Sequence, residues 1–147
     1  MITLAAPARV SFVTLGVADL ARSTAFYQAL GWSLSSSSVP GEVSFFGTAG
    51  AILALYGHQA LAGDAGMEPG ELPEYRGVAV AMNCDGRAQV DATLAAAVAA
   101  GGTLRTPAGP TTWGGYVGHF TDLDGHLWEV ADNPGMPIGP DGRPTLP

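Results

Sequence analysis

Two stretches of this chain read as the same unit, and a repeat restricts the fold more than any single motif. In the first, Val10-Ser-Phe-Val-Thr-Leu-Gly-Val17 is β-branched and apolar and predicts a strand. Asp19 caps a helix over Leu20–Leu30, with Leu20, Ala21, Phe26, Tyr27 and Leu30 as its apolar stripe, and Gly31 ends it. Strand-like runs follow at Trp32–Ser36, Val43–Gly47 and Ala51–Tyr56, parted by Ser, Pro and Gly turns. In the second stretch Val78–Cys84 predicts a strand, Asp85 or Gly86 opens an Ala-rich helix over Arg87–Ala100, and Gly101-Gly102 ends it. Strands at Thr103–Arg105, Tyr116–Thr121 and Leu127–Ala131 complete the unit.

The expected class is therefore α+β, with two βαβββ modules at about 9–57 and about 77–134. Together they make one domain over 1–134 whose sheets lie side by side and curl around a shared cleft. Residues 58–76 hold Gly, Pro and acidic residues without periodicity and read as a linker or flexible flap. Residues 135–147 read as an extended, peripheral tail.

Composition narrows the partners. At 147 residues the chain fits one domain, and 47% apolar with 13% charged residues marks it as globular. A net charge of −7, with six basic residues and no basic run, argues against nucleic acid. The stretch Val10–Val17 is too short, and too broken by Ser11, Thr14 and Gly16, to span a membrane. No charged n-region precedes a long apolar run, so no signal peptide is read. Cys84, the single cysteine, cannot form an internal disulfide, and a cytoplasmic location is expected.

The chemistry concentrates in GHFTDLDGHLWEVADNP, residues 118–134, where Glu129 interrupts an apolar strand. His119 lies ten residues before Glu129 across the TDLDG turn, which brings the two side chains near each other on one face. There they either hydrogen-bond as a functional pair or remain as a polar remnant. His126 has opposite parity to Glu129 and reads as a turn histidine with an exposed ring, and His58 as a loop histidine. Phe26, Tyr27 and Trp32 read as core, and Trp128 as packed under a helix. Trp113 and Tyr116, on the approach TTWGGYVG, are placed at the mouth of the cleft, and either Phe45 or Phe46 faces inward. An apolar-aromatic cleft with one or two polar groups is the usual make-up of a small-molecule site.

FVTLGVADLARSTAFYQALGW and GGYVGHFTDLDGHLWEVADNP resemble the vicinal oxygen chelate superfamily of glyoxalases, bleomycin-resistance proteins and extradiol dioxygenases. The resemblance covers roughly residues 9–134 and rests on the helix with FYxxLGW and on D-x-D-G-x-x-x-E. It implies paired βαβββ modules in a U-shaped open barrel, holding a divalent metal in the enzymes. Carried over, the metal-ligand positions fall on Phe12, Ala54, Ala79 and Glu129, so Glu129 is the only surviving ligand and Phe12 projects into the cleft. A cofactor is not expected, and a divalent metal is disfavoured.

Two functional classes follow. One is a metal-independent protein like the bleomycin-resistance branch, binding a planar or cationic small molecule through Phe12, Trp113, Tyr116, His119 and Glu129. The other is a glyoxalase- or dioxygenase-type enzyme in which Glu129 and His119 are the catalytic pair. A vestigial cleft on a dimerising fold is a third. Exposed sheet edges and apolar surface, as in relatives of this length, imply a homodimer.

Overall fold

Hydrogen-bonded ladders stay within each half of the chain in the computed structural model, which describes residues 5–146. The elements are β1 (Phe12–Val17), α1 (Leu20–Ala29), β2 (Val43–Phe46), β3 (Ile52–Gly57), α2 (His58–Asp64), β4 (Val80–Asn83), α3 (Arg87–Ala99), β5 (Thr103–Pro110), β6 (Tyr116–Thr121) and β7 (Leu127–Asp132). They form a three-stranded sheet, β1-β3-β2, and a four-stranded sheet, β4-β7-β6-β5, with no closed barrel. In each sheet the first strand runs parallel to the last strand of its module: Phe12 pairs with Ile52, and Val80 with Trp128. The α+β class with repeated modules is thus the architecture observed.

The helices start and stop for local reasons. Asp19 caps α1 by accepting from the Arg22 amide at 3.1 Å, and Gly31 at φ +93° turns the chain out of it. Helix α3 starts after Gly86, with the Gln89 side chain bonding back to the Asp85 amide at 2.6 Å. Its buried face is Val90, Leu94 and Ala97, laid on the second sheet. Gly118 on β6 permits that approach, because a Cβ there would meet Leu94 Cδ1 and, at 3.0 Å, Ala108 N.

Three expectations change. Trp32–Ser36 is not a strand but a single bridge, Leu34 to Phe46, because the Ser-rich run after it bonds to itself and to the next strand through side chains. Residues 58–64 are not flap but the short helix α2, which follows β3 directly and packs His58 and Leu61 over Gly16 of β1. Strand β5 runs on to Pro110 through two register shifts against β6.

One aromatic core joins the two modules. Tyr27 and Phe26 of α1 meet Trp128 and Phe120 of the second sheet at ring-centroid distances of 6.0 and 6.2 Å, and Trp32 meets Trp128 edge-on at 5.7 Å. All but Trp32 are buried. Truncating such a ring to Ala costs about 3–5 kcal/mol. The carboxylates of the TDLDG turn complete the joint. Asp122 accepts from the Tyr27 hydroxyl at 2.6 Å, and Asp124 accepts from Ala18 N at 2.8 Å and from the Ser23 hydroxyl at 2.6 Å. His126 is likewise a bridge and not an exposed ring: Nε2 reaches the Gly16 carbonyl at 2.7 Å and Nδ1 meets Arg76 Nη1 at 3.0 Å. Among the described residues no helix is long and apolar enough to cross a membrane.

Candidate small-molecule site

Strand alternation puts opposite chemistries on the two faces of the second sheet. Phe120, Trp128 and Val130 point to the core side, while Val117, His119 and Glu129 point away from the helices. His119 and Glu129 are direct cross-strand partners, held in register by the turn at Asp122–Gly125. Their side chains stand 29% and 37% exposed, with Nε2 and Oε2 3.6 Å apart. That is ion-pair distance and too long for a hydrogen bond, so the direct hydrogen bond expected between them is absent. His119 Nδ1 instead meets the Thr106 hydroxyl at 2.7 Å, which fixes the ring plane from the β5 side.

An open concavity of about 410 Å³ surrounds the pair. Its lining joins Thr106, Val117, His119 and Glu129 to Trp113 on the β5–β6 hairpin. Gly114, at φ +91°, turns that hairpin. Gly115 lets the indole fold back, since a Cβ there would collide with the Trp113 ring. Trp113 remains 56% exposed, which leaves a flat apolar surface for stacking in the concavity that Glu129 also lines.

Tyr116 does not join this group. It lies three residues before His119, on the opposite face, where its hydroxyl donates to Asp91 at 2.7 Å and Arg87 sits 5.0 Å over its ring. The Asp91 hydrogen bond, then burial, pushes its phenol pKa up. Its expected place at the cleft mouth is corrected by strand parity. Phe12 is 53% exposed on the first sheet, its ring 6.1 Å from Phe45, while Phe46 faces the core. It lines neither the concavity beside Glu129 nor a larger cavity between the modules. His58 opens α2, away from the pair, and its enclosed Nε2 has no hydrogen-bond partner among the described residues.

The donor set does not suit a divalent cation. Ala81 on β4 is the ladder partner of Glu129, and Ala54 on β3 is the partner of Thr14 and Phe45. None of Phe12, Ala54, Ala79 and Ala81 carries a donor side chain, and hard cations take six or more oxygen ligands while zinc takes about four. Among the described residues no cluster of three His, Cys, Asp or Glu could hold a metal ion. What the arrangement can do is accept hydrogen bonds and positive charge at Glu129, exchange a proton at His119, and stack a planar group on Trp113.

Comparisons with known proteins agree with this architecture. A family model described as Glyoxalase/Bleomycin resistance protein/Dioxygenase superfamily matches residues 9–130. None of the curated proteins compared matches the chain. A glyoxalase-related enzyme from Fulvimarina pelagi is 35% identical over 95% of this chain and 99% of its own, with a TM-score of 0.84. A glyoxalase/bleomycin resistance protein/dioxygenase from Nocardioides is 29% identical over 89% of this chain and 86% of its own, with a TM-score of 0.70. The likeness to a lactoylglutathione lyase from Agrobacterium tumefaciens concerns fold alone, at 23% identity over 87% of this chain and 96% of that one and a TM-score of 0.66. The chain belongs to the glyoxalase/bleomycin resistance protein/dioxygenase superfamily.

Proposed function

We propose that the protein binds a planar, cationic small molecule without a metal, on the face where Trp113, His119 and Glu129 meet. The observation that carries this reading is the half-exposed Glu129 carboxylate in the same concavity as Trp113, where the described residues offer too few other donors for a metal ion. A carboxylate and an exposed aromatic ring lining one concavity favour a ligand that is flat and positively charged. The net charge of −7 adds long-range attraction for such a ligand. This resembles the bleomycin-resistance branch of the superfamily more than its metalloenzymes. The test is a fluorescence screen of planar cations against protein treated with a chelator: binding that survives the chelator supports the reading, and binding that needs metal rejects it.

A second reading, an enzyme of the glyoxalase or dioxygenase type, is favoured by one observation. His119 is oriented by Thr106 on one nitrogen and faces Glu129 with the other, an arrangement suited to proton transfer.

The site is completed by a second chain in our proposal. Exposed Phe12 and half-buried Phe45 form an aromatic pair on the first sheet, with Val10 and Ile52 also exposed nearby. In the homodimer this face supplies the opposite wall of the cleft, which brings Phe12 to the ligand. Sedimentation at micromolar concentration showing only monomer would count against it. The single free thiol, Cys84, fits a cytoplasmic protein.

A further inference from the structure

A second cavity, of about 660 Å³, opens between the modules; Ala81, the ladder partner of Glu129, lines it, and Glu129 itself does not. Its walls include the core-facing side chains Val13, Trp32 and Leu53 of the first module and Met82 and Trp128 of the second. That volume lies in the range of ligand pockets, about 300–1,000 Å³. Helix α3 meets it with Ala92, Thr93 and Ala96, small residues that leave the space unfilled.

The C-terminal tail closes one side. Bridge pairing of Ile138 with Pro144 folds the tail into a turn, and Arg143 Nε donates to the Ala49 carbonyl at 2.6 Å. Among the described residues lining the cavity, Arg143 is the only charged one. Among the described residues its guanidinium makes no ion pair, and the Asp141 carboxylate accepts from the Arg143 backbone amide at 3.1 Å through Oδ1. With Nε engaged, the two terminal nitrogens keep their donors for a ligand. Cys84, also on the lining, has its thiol pKa pushed up, first by burial, so it adds no negative charge that would repel an anion.

From this geometry we infer that the cavity between the modules is a second ligand site, taking a compound with an apolar, ring-sized body and one anionic group held by Arg143. Its preference in charge is opposite to that of the Glu129 face, so the two sites take different compounds. The C-terminal tail, read from sequence as peripheral, supplies the specificity residue.

Anilinonaphthalene sulfonate and its uncharged counterpart phenylnaphthylamine probe the two halves of this claim. Both brighten in apolar surroundings, and only the first carries an anion. The full-length protein is titrated with each, alongside Arg143→Gln, Ala92→Trp and Glu129→Gln. Ala92 lines the cavity and is exposed on α3, so a ring added there narrows the cavity without displacing core. We expect saturable binding of both probes. Arg143→Gln should weaken the sulfonate by roughly tenfold, the loss of one charge-assisted hydrogen bond, and leave the neutral probe unchanged. Ala92→Trp should weaken both, and Glu129→Gln neither, which separates this site from the one proposed above. Equal effects of Arg143→Gln on the two probes, unchanged binding in Ala92→Trp, or no saturable binding would each overturn the inference.

Discussion

The Tyr27 hydroxyl donates to Asp122 at 2.6 Å and accepts from Trp128 Nε1 at 3.0 Å, so one phenol joins a helix of the first module to a turn and a strand of the second. The D-x-D-G stretch that marks the family is, in this chain, an inter-module joint. Its carboxylates are spent on Tyr27, Ser23 and backbone amides.

Tyr27→Phe should therefore cost about 1–3 kcal/mol, the penalty for leaving Asp122 and Trp128 Nε1 short of a buried partner. Urea unfolding measures it. The fold should survive, because the ring still packs against Trp32, Phe46 and Trp128.

The same variant tests a pH effect. Burial first, and then the Asp122 charge, hold the Tyr27 pKa well above the ordinary 10.0. The folded chain thus keeps a proton that the unfolded chain releases above that value. The stability tied to this proton is whole below about pH 10 and falls as pH rises beyond it. The sequence contains no lysine, and the other groups with raised alkaline pKa values, Tyr56, Tyr116 and Cys84, are common to wild type and variant, so the difference between the two isolates Tyr27. Urea midpoints should drop more between pH 9 and pH 11 for wild type than for Tyr27→Phe, and equal drops would contradict the assignment.

Gly115→Ala should move the Trp113 indole off its seat, since a Cβ collides with the ring. Trp113 is the most exposed of the indoles, so acrylamide quenching reports its movement. Planar ligands should bind more weakly while the melting temperature hardly changes, because no core residue is touched.

How much of this was legible in the sequence follows from the range of each interaction. The modules, the Asp19 cap and the His119–Glu129 pairing come from local periodicity and from a ten-residue hairpin spacing, and the chain carries both openly. The same parity count puts Tyr116 behind the sheet, against its expected place at the mouth. Helix α2 was missed because seven residues with no side-chain cap give too short a pattern. Asp124 and Ala18 stand 106 residues apart, and nothing local announces such a bond. Arg143 at the cavity between the modules is hidden for the same reason: its partner Ala49 is 94 residues away.

Metal content offers an independent check on the donor argument. Protein purified without added metal or a histidine tag should carry substoichiometric divalent metal, as one carboxylate and one imidazole compete poorly with water. Tight, equimolar metal in that sample would remove the binding-protein reading and restore the enzymatic one.

The most direct test is the affinity of a planar cation for chelator-treated wild type and for Glu129→Gln, followed by Trp113 fluorescence. The substitution keeps the shape and hydrogen bonding of the side chain and removes only its charge. Affinity should fall by about 1.5–3 kcal/mol, the range for a charge-assisted hydrogen bond. Equal affinity for the two proteins would mean that Glu129 does not hold the ligand.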